Sequence, residues 1–524
     1  MQMRKAVWLA ALWALTATCG IASAAPERGG GSAPTVQKAA DRNMALPAAL
    51  QKALARTKVR ADDVVVAVYP IDAVRRTDEG SNIRKVPATL LYRADVPMAP
   101  ASSAKVVTTL VGLETLGSRY RWHTSFYTDP EKTPDRNGRL RAPLYVKGGG
   151  DPNFVLEAFE MELERLAQRG LRHLEGDIVI DRSLFDIPET DRYAFDGRGT
   201  RPYNLPPDAA LVNYRNVSFE MTPDRKAGVA RIATFPKLAG VSAPATIRLK
   251  TKGGCGDWKT AIGYHLQRNK DGTVRVRFDG ALPAACGPKN FNVISFEADE
   301  YFERLFRALW VRDGRTWKGH VRTGKVPDKA ERLLVHTSPD AGDVVKLVNK
   351  WSNNTMARHV FLTLGVANLE KEAEEAGVEI EEGKLHRGIR LEDARAVIAA
   401  WQQKQGIETK DFFFENGSGL SRTTVVTARA MAQTLAVGAQ GPYAPEFMAS
   451  LPITGEDGTM ARRKVAVSWG RIKTGFLRDV RSIAGYVHAQ DGRRYAVYAA
   501  VHGERSMPGA QAFLDSVIRW VYER

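Results

Sequence analysis

The stretch from Pro100 to Gly117 constrains the fold of this chain more than any other. Pro100 has no N–H to donate and suits a helix start, Val106–Leu116 is an apolar run, and Gly117 suits the C-terminal end of a helix. On such a helix, Ser102 and Lys105 lie one turn apart on the same face. Burial would favour the neutral amine of Lys105, which could then accept the proton of Ser102. The free N–H groups of the first turn would face an anion formed at the serine. Taken alone, however, a solvated lysine beside a capping serine is the simpler interpretation.

The length and the N-terminal residues predict an exported protein with more than one domain. The chain has 524 residues, with 44% hydrophobic and 26% charged, which is typical of globular proteins too long for one core. Residues 4 and 5 are basic, residues 6–17 are apolar, and the small residues 22–24 fit a cleavage site, so residues 1–24 are predicted to be a secretory signal peptide. A lipid-modified Cys19 is the alternative, although the residues before it fit a lipoprotein box poorly. No later segment is long and apolar enough to span a membrane. We therefore expect the protein in the periplasm or cell-wall space.

Cys255 and Cys286 are the cysteines that follow the predicted signal peptide. In an oxidising compartment, an even pair that closes a modest loop favours a disulfide over a metal site. Two buried thiols are the alternative. No metal-ligand spacing is present elsewhere, so we expect neither a metal site nor a cofactor.

The formal net charge of +17, which falls by two when the predicted signal peptide is removed, favours anionic surroundings. The basic residues are scattered and do not form a run interleaved with aromatic residues. We therefore expect no nucleic-acid partner and at most weak association with an anionic envelope surface.

Hydrophobic patterning divides the chain into two predicted units. A helix over 46–56, strands over 64–69 and 88–92 and the helix after Pro100 form the first part of one unit, and helical patterns return after about residue 340. Two strands, 482–488 and 495–502, are joined by an Asp491-Gly492 turn and precede a terminal helix. Between these parts, short strand-like runs alternate with Gly and Pro turns. We predict a flexible leader over 25–45, an α+β domain of helices on an antiparallel sheet from 46–119 plus 330–524, and a mostly β insertion over 120–329.

Three short motifs stand in a fixed order along the chain: Ser102–Lys105 reads Ser-x-x-Lys, Ser352–Asn354 reads Ser-x-Asn, and Lys473–Gly475 reads Lys-Thr-Gly. Each is common on its own, since the second could be a polar helix cap and the third a strand end. Together, in this order, they form the set described for acyl-serine enzymes that act on penicillins and cell-wall peptides.

Each motif residue has a chemical task in that set. Ser352 can relay a proton toward a leaving amine, and Asn354 can hold a substrate amide. Lys473 supplies positive charge, which would keep Lys105 neutral and attract a substrate carboxylate.

At these residues the chain resembles the D-Ala-D-Ala carboxypeptidase/DD-endopeptidase family, low-molecular-mass class C penicillin-binding proteins with a large insertion domain. The resemblance covers about residue 47 to the C-terminus and includes four further stretches: Tyr203-Asn204 to Asn213, His336–Pro339, Asn416–Ser421 and Gly455–Thr459. It implies a penicillin-recognising serine transpeptidase/β-lactamase-like fold. It also implies hydrolysis of peptidoglycan stem peptides at D-Ala-D-Ala or at D-Ala-diaminopimelate cross-links, with β-lactam antibiotics as acylating inhibitors. The implied catalytic residues are Ser102, Lys105, Ser352 and Asn354, and the implied substrate-binding residues are Lys473, Thr474, Gly475 and Phe476.

Two positions depart from the pattern of the family. Asn353 stands where Asp is common, in a place where the side chain is expected to be structural. Phe476 stands where a hydroxyl residue is usual. The backbone N–H groups of Ser102 and Phe476 would still form the oxyanion hole, but a hydroxyl contact to the terminal carboxylate is lost, which leaves Thr474 and Arg478 as its candidate partners. We therefore expect carboxypeptidase activity to be weak relative to endopeptidase activity.

Two other functions remain open from the sequence. A serine β-lactamase shares the motif set, but nothing identifies a deacylating glutamate, and a large insertion is unusual for one. A catalytically idle wall-binding protein of the same fold is the second alternative.

Overall fold

The computed structural model describes residues 43–377 and 385–524. The predicted signal peptide and residues 25–42 of the predicted leader lie outside this range. Within it, no helix combines the length and apolar character needed to cross a bilayer.

A five-stranded antiparallel sheet takes its strands from both ends of the chain. Along the sheet, the strands are Gly470–Leu477, Val480–His488, Arg494–His502, Val64–Pro70 and Leu90–Tyr92. Residues 64–69 are buried throughout, because alternate side chains enter cores on the two faces of the sheet. The predicted strands of this sheet and its antiparallel arrangement are confirmed.

Ten α-helices are present in the described residues: α1 Ala48–Thr57, α2 Lys105–Leu116, α3 Leu156–Gln168, α4 Ala298–Trp310, α5 Ala341–Trp351, α6 Asn354–Glu375, α7 Leu391–Lys404, α8 Ala428–Gly438, α9 Ala444–Ser450 and α10 Met507–Tyr522. Helices α1 and α10 cover one face of the five-stranded sheet, and α2 and α8 cover the other. The helix predicted after Pro100 begins as a 3₁₀ turn, Ala101–Ala104, and becomes α-helical at Lys105. Gly117 ends it with a φ of 82°.

Residues 123–337 form separate sheets. A five-stranded mixed sheet has the order Val321–Thr323, Ile178–Asp181, Leu144–Lys147, His123–Thr128 and Glu331–Thr337. A second has the order Leu282–Pro283, Thr246–Lys250, Val229–Phe235, Asn216–Asp224 and Lys289–Ile294, and a three-stranded sheet has the order Val241–Ser242, Val274–Gly280 and Ile262–Arg268. Short strands Arg139–Leu140, His173–Leu174 and Thr316–Trp317 form another, and Arg76–Thr77 pairs with Gly80–Ser81 outside this region.

The separate sheets support the division of the chain into two units, which we keep as a proposal. The structure differs from the predicted division in two details. Strand Glu331–Thr337 pairs with His123–Thr128 and so packs with the insertion, beyond the expected boundary at residue 329. Helices α3 and α4 also lie among the strands of the insertion, where no helix was predicted. Their buried residues recur at helical spacing, which is the sequence signal for these two helices within the mostly β insertion.

Candidate active site

Lys105 is fully buried beside Ser102. Its Nζ lies 3.0 Å from Ser102 Oγ, 2.7 Å from Asn354 Oδ1 and 2.5 Å from the carbonyl oxygen of Ser418. Burial, followed by the charges of Lys473 and Arg358, holds the pKa of Lys105 well below its ordinary value. A neutral amine has two N–H groups and one lone pair. If the two N–H groups donate to the amide oxygen and the carbonyl oxygen, the lone pair faces the Ser102 hydroxyl.

The turn that carries Ser102 is closely packed from two sides. Gly475 lies against it on the edge strand, where an added Cβ would be 2.6 Å from the carbonyl oxygen of Pro100. Gly419, with a φ of +74°, lies against it from the loop at residues 416–421, where a Cβ would be 1.9 Å from the carbonyl oxygen of Ala101. Only glycine, which lacks a side chain, permits this approach, so the two glycines allow the strand and the loop to pack against the turn of Ser102.

Ser103 points away from this site. Its hydroxyl donates to the carbonyl oxygen of Pro100 at 2.6 Å and lies 3.0 Å from Ser482 Oγ in the buried interface with the sheet. Ser102, in contrast, is partly exposed. This difference supports Ser102 as the nucleophile.

The second motif lies between α5 and α6. Ser352 follows the last residue of α5 in a left-handed conformation, with a φ of 58°, and its Oγ accepts a hydrogen bond from Lys473 Nζ at 2.8 Å. The side chain of Asn353 caps α6 by accepting from the N–H of Met356 at 3.1 Å. This contact gives Asn353 a structural role.

Asn354, the first residue of α6, already has contacts on both atoms of its amide. Its Oδ1 contacts Lys105, and its Nδ2 donates to the carbonyl oxygen of Tyr203 at 3.1 Å. A ligand amide that binds Asn354 must therefore compete with Lys105 or with the carbonyl group of Tyr203 for a hydrogen bond. Asn354 thus connects the Lys105 amine to the insertion.

Lys473 is buried on the edge strand of the five-stranded sheet. Burial lowers its pKa to about 7, so its positive charge is weaker at neutral pH than the motif alone suggests. Its Nζ also donates to the carbonyl oxygen of Thr474 at 2.7 Å, and Thr474 Oγ1 lies 2.9 Å from Thr459 Oγ1. Thr459 belongs to the Gly455–Thr459 stretch noted in the sequence.

The residue after the third motif is aromatic and exposed. Phe476 is 67% exposed, and the guanidinium of Arg481 lies 3.4 Å from the centre of its ring. Arg478, which the sequence offered as a carboxylate partner, is ion-paired with Glu504. Its charge is therefore already shared with a neighbouring carboxylate.

Sequence reasoning missed three contributors to the site. The carbonyl groups of Ser418 and Tyr203 act through the backbone, which leaves no side-chain signal in a sequence. Arg358 lies one turn after Asn354 on α6 and donates to the carbonyl oxygen of Leu205 at 2.9 Å. Burial lowers its pKa to about 10, and it adds to the positive charge near Lys105. An arginine inside an otherwise apolar run was the available signal.

His336, at the start of the His336–Pro339 stretch, lies between two buried carboxylates of the insertion. Its Nδ1 is 3.0 Å from Glu162 Oε1 and its Nε2 is 3.3 Å from Asp151 Oδ2. Burial lowers the pKa of His336, but the hydrogen bonds and charges of Asp151 and Glu162 outweigh it and raise the pKa to about 9. The imidazolium therefore ties strand Glu331–Thr337 to α3 and to the turn at residues 148–152.

The remaining predicted residues lie away from this centre. Cys255 and Cys286 are joined by a disulfide in the insertion. Among the described residues, no group of three or more His, Cys, Asp or Glu side chains is arranged to hold a metal ion.

Comparisons with known proteins cover most of the chain. The model of the D-Ala-D-Ala carboxypeptidase 3 (S13) family matches residues 81–518. A D-alanyl-D-alanine carboxypeptidase of an Actinomadura strain is 27% identical over 447 residues, which are 80% of this chain and 76% of that protein. The D-alanyl-D-alanine carboxypeptidase DacB of Haemophilus influenzae is 23% identical over 446 residues, 82% of this chain and 88% of its own. The crystal structure of penicillin binding protein 4 (dacB) from Haemophilus influenzae matches with a TM-score of 0.68 at 20% identity, covering 90% of this chain and 98% of that one. The fold expected from the sequence is thereby confirmed.

Proposed function

The chain belongs to the D-Ala-D-Ala carboxypeptidase 3 (S13) family, and from this premise we propose how its site hydrolyses peptidoglycan stem peptides through an acyl-serine intermediate. The observation that carries the proposal is the buried Lys105 amine beside Ser102 Oγ, with the Asn354 and Ser418 oxygens as its other contacts. Such an amine is an acceptor for the serine proton near neutral pH.

In the acylation step, Lys105 takes the proton of Ser102 as Oγ attacks the carbonyl carbon of the penultimate D-Ala. The backbone N–H groups of Ser102 and Phe476 stabilise the oxyanion, a contribution on the order of several kcal/mol to the transition state. The close contact between Gly475 and Pro100 supports this pairing, since it brings the strand of Phe476 to the turn of Ser102.

Collapse of the tetrahedral intermediate breaks the peptide C–N bond and leaves an ester on Ser102. The leaving amine needs a proton, and Ser352 relays to it the proton that Lys105 took from Ser102, so Lys105 is neutral again. Lys473 donates to Ser352 Oγ and keeps its own proton. Water then attacks the ester, Lys105 accepts a proton of that water and passes it to Ser102 Oγ as the ester bond breaks, and the peptide is released as a carboxylic acid.

The terminal carboxylate of the substrate binds at Lys473 and Thr474. Phe476 offers no hydroxyl there, and Arg478 is paired with Glu504. We therefore retain the expectation that cleavage of cross-links exceeds release of a terminal D-Ala.

We further propose that the protein acts in the periplasm or cell-wall space and is acylated by β-lactam antibiotics. A β-lactam presents a strained amide beside a carboxylate, and so fits the same nucleophile and the same lysine. This would make the protein an antibiotic target.

Labelling with a fluorescent penicillin tests the proposal against its alternatives. We expect a stable adduct in the parent protein and in Ser103→Ala, and none in Ser102→Ala. Ser103→Ala is the matched control, since it removes the adjacent hydroxyl that faces Ser482. Rapid turnover of the label would support a β-lactamase, and a folded parent protein without an adduct would support an idle wall-binding protein.

A further inference from the structure

An open groove of about 680 Å³ runs along the insertion. It lies between strand Thr246–Lys250 and the sheet that contains strand Val274–Gly280, with the connecting residues 242–244 at one side. None of its lining residues belongs to the candidate active site. The groove is therefore a separate surface feature.

Three arginines line this groove, which we call the arginine groove after Arg248, Arg275 and Arg277. Arg275 and Arg277 are two residues apart on one strand and so point to the same face, and Arg248 lies on the strand opposite. All three are exposed.

Within the described residues, none of the three arginines of the arginine groove forms an ion pair. The carboxylate in the lining, Asp279, lies 2.8 Å from His265 Nε2. Arginines elsewhere on the same sheets do have partners, as Arg231 pairs with Asp224 at 2.8 Å. The groove is thus a local concentration of free guanidinium groups.

The shape and the floor of the groove favour a ligand with carboxylates and small apolar groups. Ala243 and Pro244 contribute half-buried apolar surface to the lining. The side chain of Phe278 alternates with those of the two arginines on its strand and so points to the other face of the strand. Phe278 packs against Phe219 and Phe291, with ring centres 5.0 and 5.8 Å away, and so is not free to stack on nucleic-acid bases. A concave surface also fits an extended polymer better than the flat plane of a lipid bilayer. Guanidinium groups bind carboxylates in paired hydrogen bonds.

We propose that the arginine groove binds the carboxylate groups of peptidoglycan stem peptides, apart from the acyl-serine site, and so holds the enzyme on its polymeric substrate. This inference rests on the proposed function, which makes peptidoglycan the substrate. Stem peptides combine free carboxylates with the methyl groups of alanine, which matches the guanidinium groups and the apolar floor. The spacing also fits, since alternate residues of a strand are about 7 Å apart, a separation that neighbouring carboxylates of one stem peptide can span.

Co-sedimentation with purified peptidoglycan sacculi tests the groove. All proteins carry Ser102→Ala so that the polymer is not cut, and the groove variant adds Arg248→Gln, Arg275→Gln and Arg277→Gln. The matched control instead adds Lys346→Gln, Arg493→Gln and Arg519→Gln, three exposed cations that also lack ion-pair partners in the described residues. We expect binding of the groove variant to be about tenfold weaker, the size expected for the loss of three surface charge contacts, and binding of the control to change little.

Two further binding experiments identify the chemistry of the ligand. In the first, the carboxyl groups of the sacculi are amidated. The parent protein should bind these sacculi as weakly as the groove variant binds native sacculi. Raised salt should weaken the groove-dependent part of binding. Equal binding by the groove variant and the control, unchanged binding to amidated sacculi, or tighter binding to phosphatidylglycerol vesicles or single-stranded DNA would overturn the proposal.

A failure of the groove proposal can be distinguished from a failure of the proposed hydrolytic function. With Ser102 restored, the groove variant should be acylated by fluorescent penicillin at the rate of the parent protein, which also shows that it is folded. Failure of the parent protein to be acylated would refute the proposed function. Failure of sacculus binding to depend on the arginines would refute the groove alone.

Discussion

Replacement of Lys473 by Arg should abolish the fall in the acylation rate constant at alkaline pH, which we call the alkaline limb of the pH profile. Lys473 is fully buried, its pKa is lowered to about 7, and its Nζ donates to Ser352 Oγ at 2.8 Å. In the proposed mechanism, the charged form of this amine binds the carboxylate of a penicillin or peptide. A lysine whose pKa is depressed loses its charge as pH rises through that pKa, so the binding-competent form declines above about pH 7.

The size of the effect follows from the charged fraction. Above its pKa, the protonated fraction of a single group falls about tenfold for each pH unit. The second-order rate constant of acylation reports groups of the free enzyme, so between about pH 7 and pH 9 it should fall by roughly 50-fold. Arginine remains charged throughout this range. Lys473→Arg should therefore react more slowly at pH 7, because its planar group fits the site less well, but with a flat alkaline profile.

The assay is the rate of labelling by a fluorescent penicillin at fixed ionic strength between about pH 5.5 and 9.5, with circular dichroism at each pH to verify folding. Lys350→Arg is the matched control, a buried lysine at the end of α5 whose Nζ contacts Asp457 at 2.6 Å. It should retain the alkaline limb of the parent protein. A parent rate constant that keeps rising to pH 9, or an unchanged limb in Lys473→Arg, would refute the assignment of this limb to Lys473.

Three other changes test separate parts of the structure. Phe476→Thr restores a hydroxyl worth about 1 kcal/mol, so release of D-Ala from a pentapeptide should rise roughly fivefold relative to cleavage of a cross-linked dimer, as measured by chromatography; an unchanged ratio would contradict this. The pKa of His336 is raised to about 9, so its contribution to the free energy of unfolding, on the order of 3 kcal/mol, should be complete below about pH 6.5 and lost as pH rises through 9. Urea denaturation of the parent protein and His336→Gln measures this contribution, and parallel pH profiles would argue against it. Gly419→Ala places a Cβ 1.9 Å from the carbonyl oxygen of Ala101 and should slow acylation at least about tenfold, whereas Gly254→Ala, with open space around it, should not.

Much of the candidate site could be predicted because its chemistry is carried by side chains in short motifs. Ser102 and Lys105 are neighbours on one turn, so their contact follows from helical geometry. The order of the three motifs then brought Asn354 and Lys473 into the prediction, although these residues lie far from Lys105 along the chain. What the motifs could not supply was the distance between them, such as the 2.7 Å from Lys105 Nζ to Asn354 Oδ1.

The parts that escaped prediction have physical reasons. The Ser418 and Tyr203 carbonyl groups contribute backbone oxygens, which every residue has, so the sequence does not distinguish them. The boundary near residue 329 was drawn from a change in hydrophobic patterning, whereas Glu331–Thr337 pairs with His123–Thr128, a strand far away along the chain. Helix α4 was detectable, because its buried residues lie on one helical face.

The insertion is joined to the active site through the first turns of α6. Asn354 donates to the carbonyl oxygen of Tyr203, Arg358 donates to that of Leu205, and the ring of His359 contacts the carbonyl oxygen of Gly150 at 2.9 Å. All three acceptors belong to the insertion, and all three side chains are buried. Removing the insertion would take away these three acceptors and expose the donors to water. Because Asn354 also contacts Lys105, the same loss would disturb the surroundings of the Lys105 amine. The contacts therefore make the insertion part of the framework of the candidate site.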